Sequence, residues 1–160
     1  MISPKREAEV WNRVMAASAE APECCKVKKT EELTAEQVME LLQAELCDGR
    51  TYEALACRVR GDVRRRLLML SQQERSHYAK LEAVYYLMTG KKPCPDRPKP
   101  PCIACINEEL RCRYREEVKG AQLYHCLAKK AGSFETVFHE LGAEEEKHAY
   151  QVLCLLQQCL

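Results

Sequence analysis

Glycine is scarce in this chain, six residues in 160, and β-branched residues are few, with isoleucine at only three positions. Such a composition argues against strands and tight hairpins, and an all-β fold is excluded. An excess of charge of one sign is lacking as well: 25 Lys and Arg face 24 Asp and Glu, for a net charge of +1. No global field is available to hold nucleic acid or an anionic membrane surface. There is no apolar run of about 18 residues to span a bilayer, and the opening Met1-Ile2-Ser3-Pro4 leads into no apolar segment of the export type. The expectation is a cytoplasmic protein with neither a membrane nor nucleic acid as partner. Eleven cysteines, an odd number without an export signal, read as reduced thiols rather than a disulfide framework.

What is there is a helix-forming mixture of Ala, Leu, Glu, Lys, Arg and Gln, 46% apolar overall, enough for one core at this length. Five of the seven prolines fall between Pro93 and Pro101, and neither glycine nor proline interrupts the stretch from Gly61 to Gly90. These breakers divide the chain into a short helix over 4–17 carrying Trp11, a linker to 33, and a four-helix region over 34–160. Thr34 and Gln37 form a capping box for a first long helix ending near Gly61. Asp62 is the expected cap of a second helix running to Gly90. The proline-rich stretch 91–106 is too long for a hairpin, Asn107 is the expected cap of a third helix ending at Gly132, and Ser133 that of the fourth. The reading is all-α: a four-helix bundle with a long crossover between helices two and three, plus the short amino-terminal helix.

Stepping alternately three and four residues along each long helix traces one apolar stripe, the spacing that a bundle core requires. The stripes run Val38, Leu41, Glu45, Asp48, Tyr52, Leu55; then Leu67, Leu70, Glu74, His77, Leu81, Val84; then Leu110, Tyr114, Glu117, Ala121, Tyr124, Ala128; and then Phe138, Leu141, Glu145, His148, Val152, Leu155. Ionisable residues break all four at mid-height. The pattern is also duplicated: Glu74 and His77 recur 71 residues later as Glu145 and His148, while Glu45 and Tyr52 recur 72 residues later as Glu117 and Tyr124. The chain is a helical hairpin used twice.

Glutamate and histidine usually sit on solvated faces, and a solvated or purely structural role is the bland alternative for these residues. No Lys or Arg occupies any stripe, however, and several carboxylates buried together each cost several kcal/mol unless compensated. Protons or metal cations must supply the compensation. Two divalent ions match four glutamates in charge, and the i, i+3 spacing turns Glu74 with His77, and Glu145 with His148, to the same side. Oxygen donors with one imidazole per ion suit iron or manganese.

These residues resemble a known family, the rubrerythrin group of ferritin-like proteins. The resemblance covers 34–160 and rests on Glu45 with Tyr52, Gln73-Glu74-Arg75-Ser76-His77, Glu117 with Tyr124, and Glu144-Glu145-Glu146-Lys147-His148. It implies a di-iron centre held by Glu45, Glu74, His77, Glu117, Glu145 and His148, with Tyr52 and Tyr124 hydrogen-bonding the ligands. It implies reduction of hydrogen peroxide or activation of dioxygen, with ferroxidase or iron handling as a close rival. A homodimer joined through helix faces is a further expectation. The family often has an extra carboxylate three residues after the third-helix glutamate, where this chain has Gly120, and Asp48 is the candidate substitute. Glu116, beside Glu117, is an alternative ligand. No rubredoxin module with two Cys-x-x-Cys pairs is present, so electrons must come from an external donor.

Two further points stay open at this level. Cys94, Cys102, Cys105 and Cys112 cluster around the crossover and could bind a metal or remain free thiols, while His125 and His139 fall off the stripes as surface residues. A non-catalytic metal-binding or interaction bundle is the alternative to a di-iron oxidoreductase.

Overall fold

The computed structural model describes residues 32–99 and 101–159. The expected helix at 4–17 and the Cys24-Cys25 pair lie outside the described residues. Among those described, four long α-helices account for most of the chain and there is no strand. They are α1 (Ala35–Ala56), α2 (Gly61–Thr89), α3 (Ile106–Ala128) and α4 (Glu135–Cys159), with one 3₁₀ turn at Gly132–Phe134 before α4. No described helix is long and apolar enough to cross a membrane.

Local chemistry explains the first boundary. Gln37 N donates to Thr34 Oγ1 at 3.3 Å while Thr34 N donates to Gln37 Oε1 at 3.1 Å, so the capping box forms as the sequence predicts. The other expected caps are not used. Gly61 and Gly132 have positive φ (64° and 55°) and turn the chain into the next helix rather than closing the previous one. Arg60 and Cys105 take the cap positions of α2 and α3 without a side-chain bond, and the Asp62 carboxylate accepts from Arg65 instead. Helices α1 and α3 therefore stop at Ala56 and Ala128, a few residues short of the glycines.

Helix directions follow from which residues meet. Glu45 approaches His77, while Gly49 faces Ser71 and Glu74, so α1 and α2 are antiparallel. Gly120 faces Glu145 and His125 faces Gly142, so α3 and α4 are antiparallel as well. Tyr52 meets Glu117 and Tyr124 meets Glu45, which makes α1 and α3 antiparallel. Consequently α2 and α3 are parallel, and the segment joining them must travel the length of the helices. It does so along α1: Cys94, Pro95 and Asp96 lie against Met39, Glu40 and Gln43, Pro98 O accepts from Arg50 at 2.6 Å, and Ile103 O accepts from Arg58 at 2.7 Å.

Apolar side chains gather in two separate clusters rather than one. The first holds Leu42, Leu81, Leu127, Phe138 and Leu141, and the second Leu55, Leu67, Leu70, Leu110 and Leu155. Each fully buried side chain of this size contributes about 1.5–3 kcal/mol. Between the clusters lies a layer of buried Glu45, Glu74, His77, Glu117, Glu145 and His148. The apolar ends hold the helices together around a middle layer that opposes folding.

Candidate metal centre

All four helices contribute to that layer, because the stripe positions at mid-height point inward. Every one of the six Glu and His side chains is nearly inaccessible, from Glu45 at 5% exposure to His148 at 0%. The Glu-x-x-His pairs of α2 and α4 meet head to head, with the His77 and His148 rings stacked at 5.0 Å between centroids.

The donor atoms form two sets. His77 Nδ1 lies 2.8 Å from Glu145 Oε1, 3.1 Å from Glu74 Oε2 and 3.4 Å from Glu45 Oε2. His148 Nδ1 lies 3.1 Å from Glu74 Oε1, 3.4 Å from Glu145 Oε2 and 3.5 Å from Glu117 Oε2. Glu74 and Glu145 thus turn one oxygen to each imidazole, whereas Glu45 serves only the His77 side and Glu117 only the His148 side. Despite these short separations, His77 Nδ1, His148 Nδ1, Glu45 Oε2 and Glu74 Oε1 have no hydrogen-bond partner of acceptable geometry. Ligand-type atoms thus crowd around each imidazole without pairing in hydrogen bonds of good geometry. Donors bound about 2.0–2.1 Å from an octahedral ion stand about 3 Å apart, which is the spacing found here. The Glu74, His77, Glu145 and His148 group could therefore hold a metal ion, and it is the only group of three or more such donors brought together among the described residues.

Surrounding bonds orient the donors. Tyr52 Oη donates to Glu117 Oε1 and Tyr124 Oη to Glu45 Oε1, both buried. His77 Nε2 faces Glu144 Oε2 at 3.0 Å, and that oxygen also accepts from Lys80 Nζ at 2.7 Å. A carboxylate at Nε2 favours the proton there and leaves Nδ1 free to ligate.

Without a cation, protons must balance the charge. Burial pushes the Glu45 and Glu117 carboxyls well above the usual carboxylate range. Burial alone would lower both histidines, but the surrounding carboxylates outweigh it: His77 is held far above its ordinary value and His148 is pushed up to about 12. Glu145 goes the other way: burial would raise it, but the adjoining Glu117 and the two imidazoles outweigh burial and hold it below the usual range. A cation bound at the layer would displace these protons.

The alternatives of the sequence reading separate cleanly in space. Glu117 is buried in the layer, whereas Glu116 is exposed and accepts from Lys119 at 2.9 Å. Asp48 is half-buried and engaged by Arg113. Its carboxyl is raised to about 6 by burial, against the pull of Arg113. That arginine lies off the stripes, and so does Glu144, for which the sequence offers no signal beyond its place beside Glu145 in the Glu-x-x-His motif. Cys94, Cys102, Cys105 and Cys112 are free thiols whose donor atoms do not converge on a metal position.

A cleft of about 290 Å³, lined by Glu45, Gly49, Arg50, Glu53, Arg75 and Tyr78, reaches the layer between α1 and α2. Compared with family models, curated proteins and solved structures, the chain matches none.

Proposed function

We propose that the chain is a ferritin-like di-iron protein of the rubrerythrin type that reduces hydrogen peroxide or activates dioxygen. The observation that carries this reading is the placement of Glu74 and Glu145, each with one oxygen toward either imidazole. Two ions would find Glu45 and His77 as donors on one side, Glu117 and His148 on the other, and Glu74 and Glu145 within reach of both, so that every donor in the layer would be used. Their four positive charges match the four carboxylates. Oxygen-rich donors with one imidazole each favour iron, with manganese as the nearest substitute, over zinc, for which thiolates are preferred partners.

When bound, iron held by Glu45, Glu74, His77, Glu117, Glu145 and His148 would supply ferrous–ferric redox chemistry, two electrons for the reduction of one peroxide with two protons to two waters. The protein's part is separate. Apolar clusters above and below exclude bulk water, so charge interactions within the layer are strong. Tyr52 and Tyr124 hold Glu117 and Glu45 by one oxygen each, leaving the other oxygen for the metal. The cleft of about 290 Å³ beside Gly49, with Glu45 in its lining, is the route by which a small oxidant would reach the layer. Electrons come from an external donor, rubredoxin-like or other. The homodimer expected from the resemblance would use the outer face of α2, where Leu68, Met69, Tyr86 and Leu87 are exposed.

The test is metal analysis of protein purified without oxygen, followed by a single-turnover peroxide assay. The expected result is about two irons per chain and near-ultraviolet ferric absorption that appears with peroxide and bleaches with dithionite. No iron uptake on reconstitution would sink the site itself. Iron uptake without peroxide or dioxygen turnover would leave a non-catalytic metal-binding bundle.

A further inference from the structure

The last turn of α3 and the first turns of α4 carry the two histidines that lie off the apolar stripes, and the fold brings them together. His125 Nδ1 stands 3.4 Å from His139 Nδ1, with ring centroids 5.6 Å apart and the planes tilted by 42°. Their outer nitrogens each face a carboxylate: His125 Nε2 is 3.2 Å from Glu146 Oε1, and His139 Nε2 is 3.6 Å from Glu135 Oε1. We infer that this pair is a second metal site, in which the two Nδ1 atoms jointly ligate one divalent cation of borderline softness such as zinc.

The carboxylate within hydrogen-bond distance of His125 Nε2 favours the proton at that nitrogen and leaves its Nδ1 lone pair free, the arrangement that usually stands behind a metal-bound imidazole; the longer ion pair at His139 Nε2 biases that ring in the same sense more weakly. When both rings adopt it, two lone pairs face each other at a distance where they repel unless a cation lies between them. Two nitrogens each about 2.0–2.1 Å from a tetrahedral zinc are about 3.4 Å apart, which is the separation observed. His125 is half-buried and His139 exposed, so water can complete the coordination.

Gly142 gives the pair its seat. It is a buried glycine inside α4, where glycine is a poor helix former. A Cβ there would come within 2.7 Å of His125 Cε1 and 2.8 Å of His125 Nδ1. The missing side chain lets the imidazole of α3 lie against α4 at the height of His139. Metal binding would join the end of α3 to the start of α4 across the 3₁₀ turn. This site shares no donor atom with the buried layer, so either assignment can fail without the other.

Zinc titration of the full chain and of the His125→Asn, His139→Asn and Gly142→Ala variants tests the inference. Zinc taken up by the buried layer or by thiols is common to all four proteins and cancels in the differences. The parent should bind one more equivalent than either histidine variant, and Gly142→Ala should bind that equivalent at least tenfold more weakly. In the parent, zinc should shift the Nδ1 nitrogen resonances of His125 and His139 together. His139→Asn removes an exposed side chain and should leave the helical circular dichroism intact. An unchanged zinc equivalent in that variant would overturn the proposal. So would nitrogen resonances reporting a proton shared between the rings that zinc does not displace.

Discussion

Tyr52 on α1 donates its hydroxyl hydrogen to Glu117 on α3, and Tyr124 on α3 returns the same bond to Glu45 on α1. The duplicated hairpins thus exchange tyrosines: each half supplies the donor that fixes the other half's carboxylate. The exchange links the two hairpins through the polar layer, where apolar contact cannot, and it gives both halves a stake in one site.

Removing either hydroxyl should have the same consequence. Tyr52→Phe and Tyr124→Phe each leave a buried carboxylate oxygen without its donor, a loss of about 1–3 kcal/mol. Urea unfolding of the metal-free proteins should show similar destabilisation for the two variants. A neutral result for one of them would mean that its glutamate has another partner and that the two halves are not equivalent.

Glu117 and Glu116 should separate sharply. Glu116→Ala removes an exposed residue paired only with Lys119 and should change stability by under about 0.5 kcal/mol with metal uptake intact. Glu117→Ala should lose about one ion per chain. In the metal-free form the same change removes a buried carboxyl with a raised pKa but leaves the buried Tyr52 hydroxyl without its acceptor, so the net change should be no larger than the loss of about 1–3 kcal/mol that one orphaned buried group brings. Iron content and thermal melts of both proteins check this. Iron loss from Glu116→Ala instead would refute the register.

The heights of the six buried Glu and His residues were legible in the sequence because the three-four stepping of a bundle stripe fixes which side chains face inward, and because the repeat supplied the same answer twice. Helix ends were less legible. Asp62 and Ser133 have good capping chemistry, but glycines with positive φ at Gly61 and Gly132 place the turns elsewhere. Arg113 and Glu144 were not legible at all: both lie beside a stripe rather than on it, and their partners Asp48 and His77 belong to other helices. Such contacts depend on helix rotation and separation, which periodicity along one helix does not encode.

Metal-free protein should lose stability as the pH rises. His77 and His148 have folded-state values raised above about 6.5, so their contribution is complete below that pH and is lost as pH climbs toward about 12 for His148. Glu45 and Glu117 act in the same sense from about 4.5 upward, since their raised carboxyls favour the acid form. Glu145, whose value is lowered, acts oppositely and limits stability below about 4.5. Urea melts at pH 5.5, 7.5 and 9 should therefore give falling midpoints without metal and nearly level ones with it. Binding at pH 7 should release at least the two imidazole protons in weakly buffered solution, and up to four if Glu45 and Glu117 give up theirs. A metal-free protein that gains stability from pH 6 to 9 would show that the layer is not proton-balanced.

The two imidazoles are not equivalent, and the difference lies outside the repeat's matched residues. His77 Nε2 has Glu144 as its partner, itself anchored by Lys80. The residue 71 positions before Glu144 is Gln73, and both Gln73 Oε1 and His148 Nε2 lack a hydrogen-bond partner. A carboxylate behind a histidine makes the ring a stronger donor to metal than a neutral amide or no partner does, and losing such support typically costs 10–100-fold in affinity, on the order of magnitude seen at other metal sites. The His77 side should accordingly fill first when ferrous iron is titrated without oxygen, giving two resolved binding steps. Glu144→Gln should weaken the first step by about 10–100-fold and bring the two steps together, with helicity unchanged because the side chain lies at the edge of the layer. Calorimetric titration reads both steps directly. Two steps that survive Glu144→Gln unaltered would show that the asymmetry arises elsewhere in the layer.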